Sequence, residues 1–129
     1  LHNEKLKRFK QFINTTLLIV NVLCVFLQTL INTDSLDCEA IYFRARCNFF
    51  LENYDQTIVD LIKVANAGYR EFDSYYNIGN IYWILAQYSN SVKYFKIALE
   101  YDPSNQEVIE IIEVLEEAVE IFENSKIVY

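Results

Sequence analysis

The residue types that carry most enzyme and metal chemistry are scarce in this sequence. His2 is the only histidine, so the chain offers no Cys–His or Ser–His–Asp arrangement for nucleophilic catalysis. Gly68 and Gly79 are the only glycines, too few for a loop that wraps a phosphate group. The many glutamates near the C-terminal end are spaced as on the solvated face of a helix. We therefore predict no enzyme activity, no cofactor and no metal site.

The cysteines and the charge distribution limit other functions. Cys24, Cys38 and Cys47 are odd in number and lack metal-ligand spacing, which predicts reduced, mostly buried thiols in an intracellular, cytoplasmic protein. The net charge is −7, with a basic stretch only at the start of the chain. Because affinity for nucleic acids comes largely from neutralising phosphates, this acidic chain is predicted not to bind them.

Composition indicates a helical domain. The 129 residues include 53% hydrophobic residues but only two Gly and one Pro, which leaves few sharp turns. This predicts a single all-α domain with a packed core. The chain starts at Leu1 and contains no Met, so we expect it to be part of a longer protein.

Residues 1–35 are predicted to form an apolar helix or helix pair. The segment 12–31 has the length of a membrane span, but six of its residues are polar, which would make insertion marginal. Apolar residues also recur at helical spacing along one stripe: Phe9, Phe12, Ile13, Val20, Leu23, Leu27 and Leu30. The first interpretation is a helix buried in the fold, and the second is a membrane span or tether. No small-residue cleavage site follows, which argues against a cleaved signal peptide.

Start and stop signals place five further helices. They are predicted at about 36–51, 55–67, 73–86, 89–101 and 104–124. Gly68 suits a left-handed helix end, and Pro103 stops the fourth of these helices because it cannot donate a hydrogen bond. The predicted N-terminal caps are Asp34 or Ser35, Asp73 or Ser74, and a capping box from Ser104 to Glu107.

Segments 38–71 and 72–105 are of equal length and repeat one another, so that position 38 aligns with position 72. Tyr54 and Tyr88 each precede a helix, and the same alignment matches further pairs: Ala45 with Gly79, Leu61 with Phe95, and Val64 with Ala98. A helix-turn-helix unit of this length resembles the tetratricopeptide repeat family. Segment 72–105 matches the family pattern over a series of positions: Tyr75, Ile78, Gly79, Tyr82, Tyr88, Ser91, Phe95, Ala98 and Pro103. Segment 38–71 matches less well, since Asn48 stands where a large apolar residue is usual.

The resemblance implies a short α-solenoid, with the repeats within 36–103 between two flanking segments. Gly79 is then a packing residue, because a Cβ there would crowd the paired helix. Segment 104–129 is predicted to be an amphipathic capping helix and tail. Its apolar residues Ile109, Val114 and Ile121 lie off the core-facing stripe and leave room for a second contact.

In this family the first helix of each pair lines a concave groove. Carried over position by position, the resemblance implies a partner-binding groove at Tyr42, Phe43, Arg46, Phe49, Tyr76, Asn77, Asn80 and Trp83. The two asparagines can hydrogen-bond a peptide backbone, and the aromatic side chains supply contact area. The alternative is that the N-terminal helix of the protein itself covers these aromatics.

These features predict a noncatalytic protein–protein interaction module, an adaptor or scaffold, that binds a partner peptide or helix. The alternatives are an oligomerising subunit of a larger repeat assembly, such as the anaphase-promoting complex, and a membrane adaptor of the mitochondrial fission type. The first alternative predicts a homo-oligomer, such as a dimer, through the N-terminal helix. Glu107 and Ile111 stand where repeats that bind the acidic tails of chaperones carry basic residues, which disfavours that subfamily.

Overall fold

The computed structural model describes residues 2–33 and 37–123, and all its elements there are helical. The helices are α1 (His2–Thr33), α2 (Cys38–Phe50), α3 (Tyr54–Asn66), α4 (Glu71–Ile84), α5 (Tyr88–Tyr101) and α6 (Gln106–Ala118), with a π-helical turn at Val119–Glu123. The all-α prediction is confirmed. The chain divides into two compact units, 1–60 and 61–129, with the boundary inside α3, where a single domain was predicted.

The end of α3 has the predicted left-handed geometry. Gly68 has a φ of 78°. Its N–H donates to the Ala65 carbonyl at 2.9 Å, and the Tyr69 N–H donates to the Val64 carbonyl at 3.0 Å. This pair of bonds defines a Schellman motif, which satisfies carbonyl groups that the helix end would leave open.

The helices α2 and α4 end in the same way without glycine. Glu52 and Ala86, which occupy equivalent positions of the two repeats, have φ values of 62° and 56°. After α4, the Ala86 N–H donates to the Trp83 carbonyl at 2.9 Å and the Gln87 N–H to the Tyr82 carbonyl at 2.8 Å. Both helix ends therefore hold a side-chain-bearing residue in a conformation that glycine adopts at lower cost.

We expect Ala86→Gly to stabilise the protein. Removing the Cβ relieves the left-handed strain, and the expected gain in the free energy of unfolding is about 0.5–1 kcal/mol. Chemical denaturation followed by circular dichroism measures it. The matched control is Ala67→Gly, at an exposed alanine that is not left-handed, where stability should fall. A loss at both positions would contradict the prediction.

The helix starts differ from the predicted caps. Asp37 caps α2, since its side chain accepts from the Ala40 N–H at 3.0 Å; Asp34 and Ser35 lie outside the described residues. Asn105 caps α6 by accepting from the Val108 N–H at 3.1 Å, so the capping box from Ser104 to Glu107 is wrong. The cap lies one residue closer to the helix than predicted, so its side-chain oxygen accepts from the Val108 N–H and not from the Glu107 N–H that the Ser104 hydroxyl was expected to bind.

The start of α4 also differs from the prediction. Arg70 precedes the helix in a left-handed conformation and caps it without a side-chain hydrogen bond. Asp73 and Ser74 lie inside α4, and Ser74 is fully buried. The prediction that either of these two residues caps α4 is therefore wrong.

The helix α1 is a single element and is mostly exposed. Leu27 and Ile31 are its buried residues, whereas Phe9 and Phe12 are 60% and 68% exposed. The predicted burial of the whole apolar stripe is therefore wrong: of its members, Leu27 is buried and Val20 is half-buried. The reason is length: 32 residues of α1 extend about 48 Å, whereas the 13 residues of α2 extend about 20 Å and can cover only the last turns.

A buried ion pair holds α2 and the start of α3 together. Arg44 donates to both carboxylate oxygens of Asp60 at 2.7 and 2.8 Å, and Gln56 donates to the same carboxylate at 3.1 Å. Asp60 is 1% exposed. The hydrogen bonds to Asp60 raise the pKa of the Arg44 guanidinium above its ordinary value, so it stays charged. Arg44 also donates to Gln28 of α1 at 2.6 Å, which connects the last turns of α1 to this pair.

The glycine in α4 is required by close packing of α4 on α5. A Cβ built on Gly79 would lie 2.9–3.0 Å from ring atoms of Phe95, which is fully buried. The Ser91 hydroxyl donates to the Gly79 carbonyl at 2.8 Å. At the equivalent positions of the first repeat, the Thr57 hydroxyl donates to the Ala45 carbonyl at 3.2 Å. The predicted packing role of Gly79 is confirmed, and this bond recurs from one repeat to the next.

Candidate interaction surface

The predicted groove residues of α2 are only partly accessible. Tyr42 is 5% exposed and contacts Phe43 edge-to-face at a centroid distance of 6.0 Å, so its ring offers little surface to a partner. The Arg46 guanidinium lies 5.9 Å from the centroid of Phe43. Phe49 is 36% exposed and contacts Tyr54 at 5.8 Å. Arg46 and Phe49 are therefore the exposed members of this set.

The side chains of α4 point in several directions, each with its own contact. Ile78 and Ile81 are fully buried. Tyr75 and Tyr82 both stack on Tyr94 of α5, at centroid distances of 6.4 and 5.4 Å. These contacts hold one side of α4 against α5 and leave another side for a different neighbour.

The other side of α4 carries predicted groove residues. Tyr76 packs on Phe95 at 5.5 Å, and Asn77 and Asn80 are half-buried. Trp83 is 49% exposed even though it is the largest side chain on the helix. A tryptophan exposed to this extent is an available contact for a partner.

An open groove of about 540 Å³ lies between this side of α4 and α6. Aliphatic side chains form most of its α6 wall, and Val114 is 65% exposed. The lining residues are Tyr76, Trp83, Tyr88, Glu107, Glu110, Ile111, Val114, Leu115 and Ala118. Of the predicted site residues on α4, Tyr76 and Trp83 thus line this groove, whereas Asn77 and Asn80 do not.

One end of this groove, which we call the α4–α6 groove, is acidic. The Tyr76 hydroxyl donates to a carboxylate oxygen of Glu107 at 3.3 Å, and Glu110 lies one turn further along α6. Burial raises the pKa of the Tyr76 phenol above its ordinary value, and the Glu107 carboxylate raises it further. Tyr76 therefore stays a hydrogen-bond donor, and the groove presents carboxylates beside an apolar wall.

The α6 side of the groove was not among the predicted site residues. The sequence does contain a signal for it, if Gln106 is taken as the first position of a further repeat. The family's groove positions then fall on Glu107, Glu110, Ile111, Val114, Glu117 and Ala118. All of these except Glu117 line the groove. From the sequence pattern, Val114 was predicted to lie off the core-facing stripe of the last helix, but it was not assigned to a groove. In this numbering Glu113 occupies the eighth position, where the family carries a small residue. This mismatch argued against a third repeat, so the family's groove positions were not assigned to α6.

A second hollow of about 390 Å³ lies beside the buried ion pair in residues 1–60 and is lined by Cys24, Val25, Gln28, Thr29, Arg44, Asn48 and Gln56. Its cysteine is a free thiol, as are Cys38 and Cys47. No group of three or more His, Cys, Asp or Glu side chains within residues 2–33 and 37–123 is placed to hold a metal ion.

The helix pairing and the groove are those of a helical-repeat protein. Residues 72–105 match the family model of the tetratricopeptide repeat, and the chain therefore contains a tetratricopeptide repeat, as predicted. Proteins of this family generally bind other proteins and are typically noncatalytic, which supports a general role as a protein–protein interaction module.

Solved structures share the fold. A crystal structure of MamA protein superimposes with a TM-score of 0.70 at 17% sequence identity, covering 81% of this chain and 57% of that one. A second crystal structure of MamA gives a TM-score of 0.68 at 17% identity, covering 78% and 58%. The chain thus spans less than two thirds of these MamA chains. No curated protein matches the sequence.

Proposed function

We propose that the chain is a noncatalytic adaptor or scaffold module whose α4–α6 groove binds a segment of a partner protein. The observation that carries the proposal is the exposure of two large apolar side chains in one groove, Trp83 at 49% and Val114 at 65%. Buried tryptophan contacts dominate the energy of many protein interfaces, because the side chain supplies a large area at low entropic cost.

The acidic end of the groove indicates the chemistry of the partner. Glu107 and Glu110 stand beside the apolar wall, and the chain as a whole carries a net charge of −7. A partner with carboxylates at this place would be repelled, whereas lysine or arginine side chains would be attracted. The proposed partner is therefore a helical or extended segment with apolar side chains for Trp83 and Val114 and basic side chains for the two glutamates.

The remaining predicted groove residues stay a prediction. They are Phe43, Arg46 and Phe49 of α2 and Asn77 and Asn80 of α4, each a predicted polar or aromatic contact for a partner. Their contribution is separable, because variants on α2 leave the α4–α6 groove unchanged. The cytoplasmic location and the homo-oligomer through α1 also stay predictions.

A peptide selection tests the proposal. Peptides selected from a displayed random library against the wild-type chain should be enriched in basic and apolar residues. Trp83 is the only tryptophan, so binding in the groove should shift its fluorescence to shorter wavelength and protect it from acrylamide. By anisotropy of a labelled peptide, Trp83→Ala should weaken binding about 30-fold, the effect of losing roughly 2 kcal/mol at a hot spot.

Charge reversal gives the matched control. Glu110→Lys should weaken binding of a basic peptide by about tenfold, or roughly 1.4 kcal/mol. Glu120→Lys changes the net charge equally at an exposed glutamate outside the groove lining, and it should change binding less than about twofold. Equal effects of the two reversals, or selected peptides rich in acidic residues, would refute the proposed groove chemistry.

A further inference from the structure

We propose that residues 11–27 of α1 span a lipid bilayer and anchor the repeats to it. Among the described residues, α1 is the helix that is long and apolar enough to cross a membrane, and 6% of its most apolar stretch is buried. The proposal concerns a different part of the chain from the α4–α6 groove and does not depend on it.

The length of the segment fits the hydrocarbon layer of a bilayer. Between Lys10 and Gln28 there are 17 residues without a charged side chain, which extend about 26 Å as a helix. The preceding turns carry four basic side chains: Lys5, Lys7, Arg8 and Lys10. Their long side chains can reach the headgroups, where anionic lipids attract them.

Exposed apolar side chains surround the segment instead of forming a stripe. Phe12, Ile13 and Leu18 are 68%, 41% and 64% exposed. At about 100° per residue they point in three directions about 100–140° apart around the helix axis. A packed protein surface covers one side of a helix, whereas lipid chains cover all sides, and a helix that is apolar all round is typical of a membrane span.

Three polar side chains of the segment donate to carbonyl groups of the same helix, which makes insertion less costly than the number of polar residues alone suggests. Thr15 and Thr16 donate to the Gln11 and Phe12 carbonyls at 2.9 and 2.8 Å. The Asn21 amide donates to the Leu17 carbonyl at 2.9 Å. Each bond removes a donor that would be costly in hydrocarbon, because no water is present there to accept it.

The structure also places the end of the span. Leu27 and Ile31 are buried on the turns that pack on α2, and Gln28 accepts from Arg44 at 2.6 Å and donates to Asn32 at 2.9 Å. This polar cluster requires water or headgroups around it. Cys24 and Val25 already line a hollow with Arg44, Asn48 and Gln56, so water or headgroups must reach as far as Cys24. The last turn of the span, up to Leu27, therefore lies in the headgroup region beside α2.

A second copy of the chain fits α1 less well than a bilayer does. A parallel pair would bring two copies of Lys5, Lys7, Arg8 and Lys10 together, and a pair of either orientation would cover only one side of each helix. The circumferential exposure and the charged flank together favour lipid as the partner.

Reconstitution of the full chain tests the anchor. Purified in mild detergent and reconstituted into vesicles of phosphatidylcholine and phosphatidylglycerol, the chain should float with the vesicles and resist extraction by alkaline carbonate. The variant Leu18→Arg, Val22→Arg places two charges at the centre of the segment and should lower the retained fraction by roughly tenfold or more. Both positions are exposed, at 64% and 61%, so the repeats should keep their helical circular dichroism and melting temperature.

The matched control is Phe50→Arg, Val59→Arg, two apolar positions on α2 and α3 that are 52% and 60% exposed. It should be retained like the wild type. Extraction of the wild-type chain by carbonate would overturn the span in favour of surface adsorption. A discrete dimer in detergent-free buffer that Leu18→Arg, Val22→Arg abolishes, without retention in vesicles, would overturn it in favour of self-association.

Discussion

Replacing Asp60 with alanine should lower the free energy of unfolding by about 3–5 kcal/mol, because it leaves the Arg44 guanidinium charged without its partner in a mostly buried site. The Arg44 side chain is 14% exposed, and two of its N–H groups donate to the lost carboxylate. Water can reach only part of the guanidinium, so solvation does not replace these bonds. Urea denaturation in one detergent buffer, followed by circular dichroism, measures the loss.

The control for this prediction is suggested by the chain itself. Ile78 and Tyr94 occupy the positions of the second repeat that are equivalent to Arg44 and Asp60, and they carry no charge pair. The double variant Arg44→Met, Asp60→Val removes both charges and should recover most of the stability lost in Asp60→Ala, since an apolar pair of similar volume can replace a buried ion pair at little cost. A loss below about 1 kcal/mol in Asp60→Ala would show that the pair is not effectively desolvated.

Placing a side chain at position 79 should destabilise the protein although glycine is a poor helix former. Alanine improves helix propensity by about 1 kcal/mol, but its Cβ would lie 2.9–3.0 Å from the Phe95 ring, and overpacking typically costs about 1–3 kcal/mol. Because Phe95 is fully buried, its ring has little space in which to move. We expect a net loss of about 1–2 kcal/mol for Gly79→Ala and about 3 kcal/mol or more for Gly79→Val.

A second substitution should rescue the first. At the equivalent positions of the first repeat the chain carries Ala45 and Leu61, a larger residue at the glycine position and a smaller one at the phenylalanine position. The double variant Gly79→Ala, Phe95→Leu should therefore lose at least about 1 kcal/mol less than the sum of the two single variants. Denaturation of all three variants under the same conditions gives the coupling. Additive losses would mean that the ring and the Cβ do not compete for the same space.

Local signals in the sequence were sufficient for the helices and for the repeat. The end of α3 at Gly68 and the end of α5 before Pro103 depend on the backbone of one or two residues, and both follow the prediction. The starts were less accurate because several neighbouring side chains can make the same capping bond. Asn105 and Ser104 differ by one position, and only the final path of the chain selects between them.

The candidate site was predictable on α4 and only in part elsewhere. Tyr76 and Trp83 line the groove as predicted. They could be predicted because segment 72–105 matches the repeat pattern clearly, so the family's groove positions can be assigned to it residue by residue. Tyr42 belongs to the same register but is 5% exposed, since Phe43 and the core cover its ring. Val114 joins the groove from α6, a helix that does not follow the repeat pattern at its small-residue position.

The sequence by itself therefore determined the helical class, the repeat of helix pairs and the need for glycine at position 79. These depend on local backbone preference and on a spacing that short-range packing imposes. The tertiary structure alone decided which apolar residues are buried: Leu27 is the buried member of the stripe predicted on α1, while Tyr42, expected to face a partner, is covered. The physical reason is that hydrophobic burial needs a neighbouring surface of sufficient length, and a helix's own sequence does not contain that neighbour.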